Sequence, residues 1–128
     1  MTPDLMLLLW TVALTFVQLV VVVISANSQL RLVELVGNRD PAPVFAGWAG
    51  RAQRAHRNML ESLPLFIALV LMAKISGREN AMTLLGAELF FWARLAYFLI
   101  YLAGIPWLRT LAWVISLAGL VVIFAQLI

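Results

Sequence analysis

The sequence predicts an all-α membrane protein, a single domain over residues 1–128 with four transmembrane helices in an up-down bundle. Three observations carry that prediction. Of the 128 residues 64% are hydrophobic and 12% are charged, with mean hydropathy +1.00, whereas water-soluble domains are about half apolar and a quarter charged. A membrane-crossing helix takes about 20 residues, so four spans use about 80 to 100 and leave only short connections. The turn-forming and polar residues gather at three places that divide the chain into four apolar stretches. With no cysteine, a disulfide frame, a Cys-ligated metal and a protein thiol nucleophile are all excluded.

The first span covers about 5–27. It follows Met1-Thr2-Pro3-Asp4, an acidic start before a long apolar run, which reads as a retained helix and not a cleaved leader. Its valines cost helix propensity in water but little in lipid, where the backbone has no other hydrogen-bond partner. Asn27-Ser28-Gln29 ends it, and the main loop follows with Arg31, Glu34, Gly37-Asn38-Arg39-Asp40-Pro41 and Pro43, carrying a turn signal at its middle. The second span covers about 48–75 and closes at Lys74, Ser76-Gly77 and Arg78-Glu79-Asn80. The third covers 81–103, where Gly104 stops it, and Pro106 opens the fourth, 106–128. Gly past a helix end and Pro in a first turn are the expected asymmetry.

Between Arg31 and Arg57 lie five Arg and two acids, and Arg109 falls on the same side, whereas Asp4, Lys74, Arg78 and Glu79 occupy the other. The positive-inside rule then places the long loop and the Gly104 turn in the cytoplasm and both termini outside. Trp48 and Trp107 become anchors at the cytoplasmic interface. The net charge of +3 belongs to this topology and to intramembrane sites, and nucleic acid is not expected as a partner. Eight Arg against one Lys, with minimal loops, suggests a bacterial inner membrane.

Charge does not stay out of the membrane. From Ser62 to Ala73 there are 12 uncharged residues, about 18 Å of helix against a hydrocarbon core of about 30 Å. The second span therefore carries Glu61, Asn58 and Arg57 below headgroup level, and Glu88 and Arg94 interrupt the third. Ionisable groups there are costly unless they face a bundle interior or a wet cavity, so they mark a site. At 100° per residue, Arg51, Arg54, Arg57, Asn58 and Glu61 fall within about 120° of one another on the second helix, and Arg94, Tyr97 and Tyr101 within about 60° on the third. Glu88 points about 120° away from Arg94, and His56 about 160° from Arg54, where its expected role is helix packing. Arg109, in the first turn of the fourth helix, opposes the macrodipole, which suggests an anion nearby.

Several of these residues also have structural readings. Arg51 suits an interface charge facing phospholipid phosphates, and Arg54, Asn58 and Glu61 suit a clamp between helices. Arg57 either pairs with Glu61 at i,i+4 or meets a ligand. Tyr97 and Tyr101 suit bundle core with hydroxyls on backbone partners, Glu88 suits helix pairing, and Pro64 a kink that frees the carbonyl of Leu60.

The segment Arg51-Ala-Gln-Arg54-Ala-His56-Arg57-Asn58-Met-Leu-Glu61-Ser-Leu-Pro64-Leu-Phe66 resembles the signature of the MAPEG proteins, the microsomal glutathione transferases and eicosanoid-pathway synthases. A second stretch, Ala93-Arg94-Leu-Ala-Tyr97-Phe-Leu-Ile-Tyr101 with Gly104, Pro106 and Arg109-Thr110 behind it, is also similar to theirs. The two windows cover about a quarter of the chain. The resemblance implies a left-handed four-helix bundle, a homotrimer, and a glutathione site between subunits near the cytoplasmic face, with no metal. By the same resemblance Arg54, Asn58, Glu61, Arg94, Tyr97 and Tyr101 bind glutathione with Arg57 at the edge, and Arg109 holds and activates the thiol. An Arg that family members often carry at the cytoplasmic end of the first helix aligns here with either Arg31 or Asn27. Ser62 stands where some eicosanoid synthases have Tyr, and Tyr97 where prostaglandin-type members have His; neither departure removes the glutathione set.

The chemistry agrees with that set. Glutathione offers two carboxylates and an ammonium, which several Arg and one Glu complement. A guanidinium and a helix N-terminus favour its thiolate, which then attacks a lipophilic electrophile or a lipid hydroperoxide from the bilayer. The expected activity is glutathione transferase or glutathione-dependent peroxidase. The alternative is a non-catalytic membrane scaffold or accessory subunit, against which the retention of Arg109 beside Arg54, Asn58 and Glu61 argues. A small four-span drug exporter would carry a membrane-embedded Glu in its first helix, and residues 5–25 contain no acid.

Overall fold

The computed structural model describes residues 1–38 and 44–128; the centre of the long loop, where Arg39-Asp40-Pro41 and Pro43 were expected to turn, lies outside the described residues. The architecture is all-helical: α1 (Pro3–Gln29), α2 (Leu32–Val36), α3 (Gly47–Ile75), α4 (Ala81–Ala103) and α5 (Pro106–Leu127). All but α2 are long and apolar enough to cross a membrane.

Local chemistry sets the ends. The Thr2 hydroxyl accepts from the Leu5 amide ahead of Pro3 in the first turn of α1. Asn80 caps α4 by accepting from the Met82 and Thr83 amides, and the Thr83 hydroxyl returns the bond to the Asn80 amide, which satisfies donors that a helix start otherwise leaves open. At the far end of α4, Gly104 takes the left-handed conformation (φ 80°) and its amide closes on Ile100 and Tyr101, a conformation costly to side chains.

The loop differs from expectation in containing α2. The Arg31 amide donates to the Glu34 carboxylate at 3.3 Å, the reach-back that starts a helix. Leu35 is buried in a cluster with Ala26, Phe45 and Ala49, so one apolar side chain pins the short helix over the ends of α1 and α3.

Thr2 donates to Glu79, Lys74 pairs with Glu79 at 3.5 Å, and Arg78 donates to the Leu127 carbonyl. These contacts gather the start of α1 and the end of α5 at the α3–α4 turn, so the four long helices alternate in direction. Among the described residues α1 packs on α3 and α4, α5 packs on α4 and α3, and α1 and α5 do not meet. The closest approach joins α4 to α5: a Cβ at Gly86 would lie 2.6 Å from the Gly119 carbonyl oxygen, and one at Gly119 would lie 2.5 Å from that of Gly86. Where lipid is as apolar as any side chain, such close backbone packing is a main source of helix attraction. The core between the helices centres on stacked Phe66 and Phe90, ring centroids 4.2 Å apart, with Met59, Val70 and Ile123.

In α1 the buried face is partly polar. Asp4, Thr11, Gln18 and Ser25 recur every seventh residue and all are buried, while Trp10, Phe16, Val20 and Ile24 point outward. This inverts the soluble pattern, as a lipid surround requires. Pro64 lies inside α3, which continues through it as helix.

Candidate functional site

The polar face of α3 meets α4 and the start of α5 at the arginine-rich end of the bundle. Arg51 donates through Nε to the Leu102 carbonyl at 3.1 Å, so its guanidinium satisfies a carbonyl in the last turn of α4. One turn deeper, Arg54 donates through Nε to the Tyr101 hydroxyl at 3.1 Å. The Arg109 guanidinium of α5 lies over the ring of the same tyrosine, 4.6 Å from its centroid. Tyr101 is buried and 5.5 Å from the Tyr97 ring, and the guanidiniums of Arg54 and Arg109 both contact it. The Tyr101 hydroxyl thus faces Arg54, not a backbone group.

Arg94 is the largest fully buried side chain, 1% exposed. Its Nη1 donates to Asn58 Oδ1 at 2.5 Å, and its guanidinium lies 5.5 Å from the Phe90 ring and 5.3 Å from that of Tyr97. Among the described residues Nε and Nη2 have no hydrogen-bond partner. The bond to Arg94 settles how Asn58 is turned. With its oxygen accepting from the guanidinium, the amide nitrogen keeps its two protons for another acceptor, and none bonds it among the described residues.

Asn58 also borders a cleft of about 130 Å³ lined with it by Tyr97, Arg109, Thr110 and Trp113. Helix α5 begins beside it with no side-chain cap, so its first amides and the positive end of its dipole remain open. The arrangement suits a ligand bearing anionic groups: Arg109 and Asn58 line the cleft, and Arg54 contacts Tyr101 together with Arg109.

The remaining expected residues are distributed differently. Arg57 and Glu61 are both exposed on α3 and do not pair; the ion pairs among the described residues are Arg31–Glu34 at 3.4 Å and Lys74–Glu79. Arg31, 88% exposed, bonds to Glu34 beside α2, and no contact among the described residues joins it to Arg54, Asn58 or Arg109. Glu88 is exposed on a different side of α4 from Arg94. His56 turns toward α1, its Nδ1 3.5 Å from Oε1 of the buried Gln18, a contact between helices and not part of the cleft. Sequence reasoning passed over Trp113 and Gln18. Trp113 is four residues beyond Arg109 and so shares its face, and Gln18 belongs to the seven-residue polar repeat of α1; both signals were present.

The MAPEG family model matches residues 7–128, from the first turns of α1 to the last residue. The chain belongs to the MAPEG family. It is therefore a membrane protein of the glutathione and eicosanoid metabolism group, which contains glutathione transferases and peroxidases as well as non-enzymatic members. A search of curated proteins gave no match. The MAPEG match runs over all four long helices, well beyond the two windows that first suggested it, and the α3, α4 and α5 segments that meet at Tyr101 all lie inside it.

Proposed function

We propose that this MAPEG protein is a glutathione transferase or glutathione-dependent peroxidase whose Arg109 stabilises the glutathione thiolate. The observation that carries the reading is Tyr101 in contact with both Arg54 and Arg109, beside the Asn58 cleft and the open start of α5. Three guanidiniums, counting Arg94 behind Asn58, gather there against one acid, Glu61. Such a surplus of positive charge within a membrane calls for an anionic ligand. Glutathione supplies two carboxylates for Arg54 and Arg57, an ammonium for Glu61, and a thiol that Arg109 and the α5 dipole favour as thiolate. Tyr97 and Tyr101 line the thiol's approach. Arg94 acts through Asn58, whose amide it turns toward the ligand.

In the transferase reaction the thiolate sulfur attacks an electrophilic carbon, the C–S bond forms, and the leaving group departs with the electron pair. In the peroxidase reaction the sulfur attacks the terminal oxygen of a hydroperoxide; the O–O bond breaks, the alkoxide takes a proton to become an alcohol, and a second glutathione converts the sulfenic acid to disulfide and water. The lipophilic second substrate enters from the bilayer.

The site is shared in a homotrimer. A cleft of about 130 Å³ is well under the volume of about 300 Å³ at which small-molecule sites begin, and a neighbouring copy supplies the missing wall. Arg57, Glu61, Pro64, Ala68, Leu71 and Ile75 are all exposed on α3 at alternating spacings of four and three residues, the periodicity of a helix-packing seam. Arg31 lies at the arginine-rich end, placed to reach the neighbour's ligand. By the charge asymmetry of the loops that end faces the cytoplasm, the membrane being a bacterial inner membrane.

The test is turnover of glutathione with 1-chloro-2,4-dinitrobenzene and with cumene hydroperoxide. Arg109→Ala is expected to lower kcat about 100-fold, the usual effect of losing one preorganised charge donor. Full turnover in that variant removes Arg109 from the mechanism. Glutathione binding without turnover of either electrophile favours the scaffold reading.

A further inference from the structure

Glu88 lies nearer the α3–α4 turn than Arg109 does and does not line the cleft above. It is exposed, seven residues into a helix that starts at Ala81, about 10 Å along the axis. Among the described residues it has no hydrogen bond and no ion pair. A carboxylate at that depth needs a partner, and none is offered among the described residues. Arg94 is buried against Asn58, Lys74 pairs with Glu79, and Arg78 donates to the Leu127 carbonyl. Counting the same seven residues from that end of the other long helices reaches Trp10, Ala68 and Leu120. A second copy lying parallel in the bilayer therefore brings no cation to the level of Glu88.

Beside Glu88 runs a groove of about 550 Å³ between α1 and α4, walled by Met6, Trp10, Phe91, Trp92 and Leu95. Its volume is that of a small-molecule site. Trp92, at i+4, shares the face of Glu88, and its ring meets Phe91 edge to face at 5.1 Å. Indole faces attract cations, and the remaining lining is apolar. A zwitterionic lipid headgroup fits poorly, because its phosphate would be drawn below the surface into a groove that holds no cationic side chain.

We propose that this groove binds a lipophilic organic cation, an alkylammonium or arylphosphonium whose charge sits at Glu88 against Trp10 and Trp92 and whose apolar body fills the α1–α4 groove. The site is independent of the glutathione reading.

The experiment is saturable binding of radiolabelled tetraphenylphosphonium to the full-length protein in zwitterionic lipid nanodiscs, with dodecyltrimethylammonium and the uncharged dodecanol as competitors. The wild type should bind, the ammonium should compete and the alcohol should not. Glu88→Gln and Trp92→Leu should each weaken binding by about tenfold or more, the scale of a desolvated cation–aromatic or ion contact, while Glu88→Asp retains it. The oligomeric state of Glu88→Gln, measured in parallel, reports whether the groove is instead a protein contact. Absence of saturable binding, equal binding by Glu88→Gln, competition by dodecanol as effective as by the ammonium, or a changed oligomer in Glu88→Gln would each overturn the proposal.

Discussion

In the half of the bundle around Arg94, helices meet through guanidiniums, an amide and phenol rings; in the half around Gly86, they meet through bare backbone and stacked phenylalanines. Arg94 to Asn58, Arg54 to Tyr101 and Arg51 to Leu102 each join α3 to α4 by a hydrogen bond from a cation. Toward the other end α4 lies on α5 with Gly86 and Gly119 face to face, and Phe66 stacks on Phe90. Among the described residues the first region leaves two nitrogens of a buried charge unpartnered, whereas the second leaves no gap for a methyl group at its glycines. Close packing supplies stability, and the polar region gives some of it up to hold a charged site.

The comparison breaks most readily at the glycines. Gly119→Ala places a Cβ 2.5 Å from the Gly86 carbonyl oxygen, a backbone atom that moves only if the helices separate. A loss of about 3 kcal/mol is expected, at the upper end for overpacking, measured as a fall in the denaturant midpoint of the protein in detergent. An unchanged midpoint would mean that the α4–α5 contact is not what holds that half.

A smaller effect, with a different sign for stability and for function, sharpens the contrast. Arg94→Leu removes a buried guanidinium with two unsatisfied nitrogens, so stability should hold or rise by about 1 kcal/mol, as when buried charges give way to apolar groups. Asn58 then loses the bond that turns its amide, and KM for glutathione should rise about tenfold with kcat changed less, an amount typical of a lost hydrogen bond to a charged ligand. Should Arg94→Leu unfold the protein, the buried guanidinium is structural and the division between the halves fails.

Much of this was legible in the sequence, and unequally. The α4–α5 turn was written in Gly104 and Pro106 because each has a backbone preference of its own, and the polar face of α3 was readable because helical geometry fixes which residues share a side. The bond between Asn58 and Arg94 was not, since it depends on how far α3 and α4 are rotated against each other. Arg57 and Glu61 have the spacing of an ion pair yet both point outward, because spacing permits a contact without enforcing it. Gly86 and Gly119 look like any glycines in an apolar run; only the approach of two backbones distinguishes them. Helix α2 was hidden by its length, being short enough that Leu35 and one reach-back hydrogen bond decide it.

The claim on which the account rests is that Arg109 and the start of α5 ionise a bound thiol. The direct measurement is a titration of the purified protein with glutathione, following thiolate absorbance in the ultraviolet at neutral pH, for the wild type and for Arg109→Ala. The account predicts thiolate in the wild type, well below the free-thiol pKa of about 8.5, and its loss in the variant while glutathione still binds. Equal thiolate in both proteins, or glutathione bound to the wild type without ionising, would contradict it.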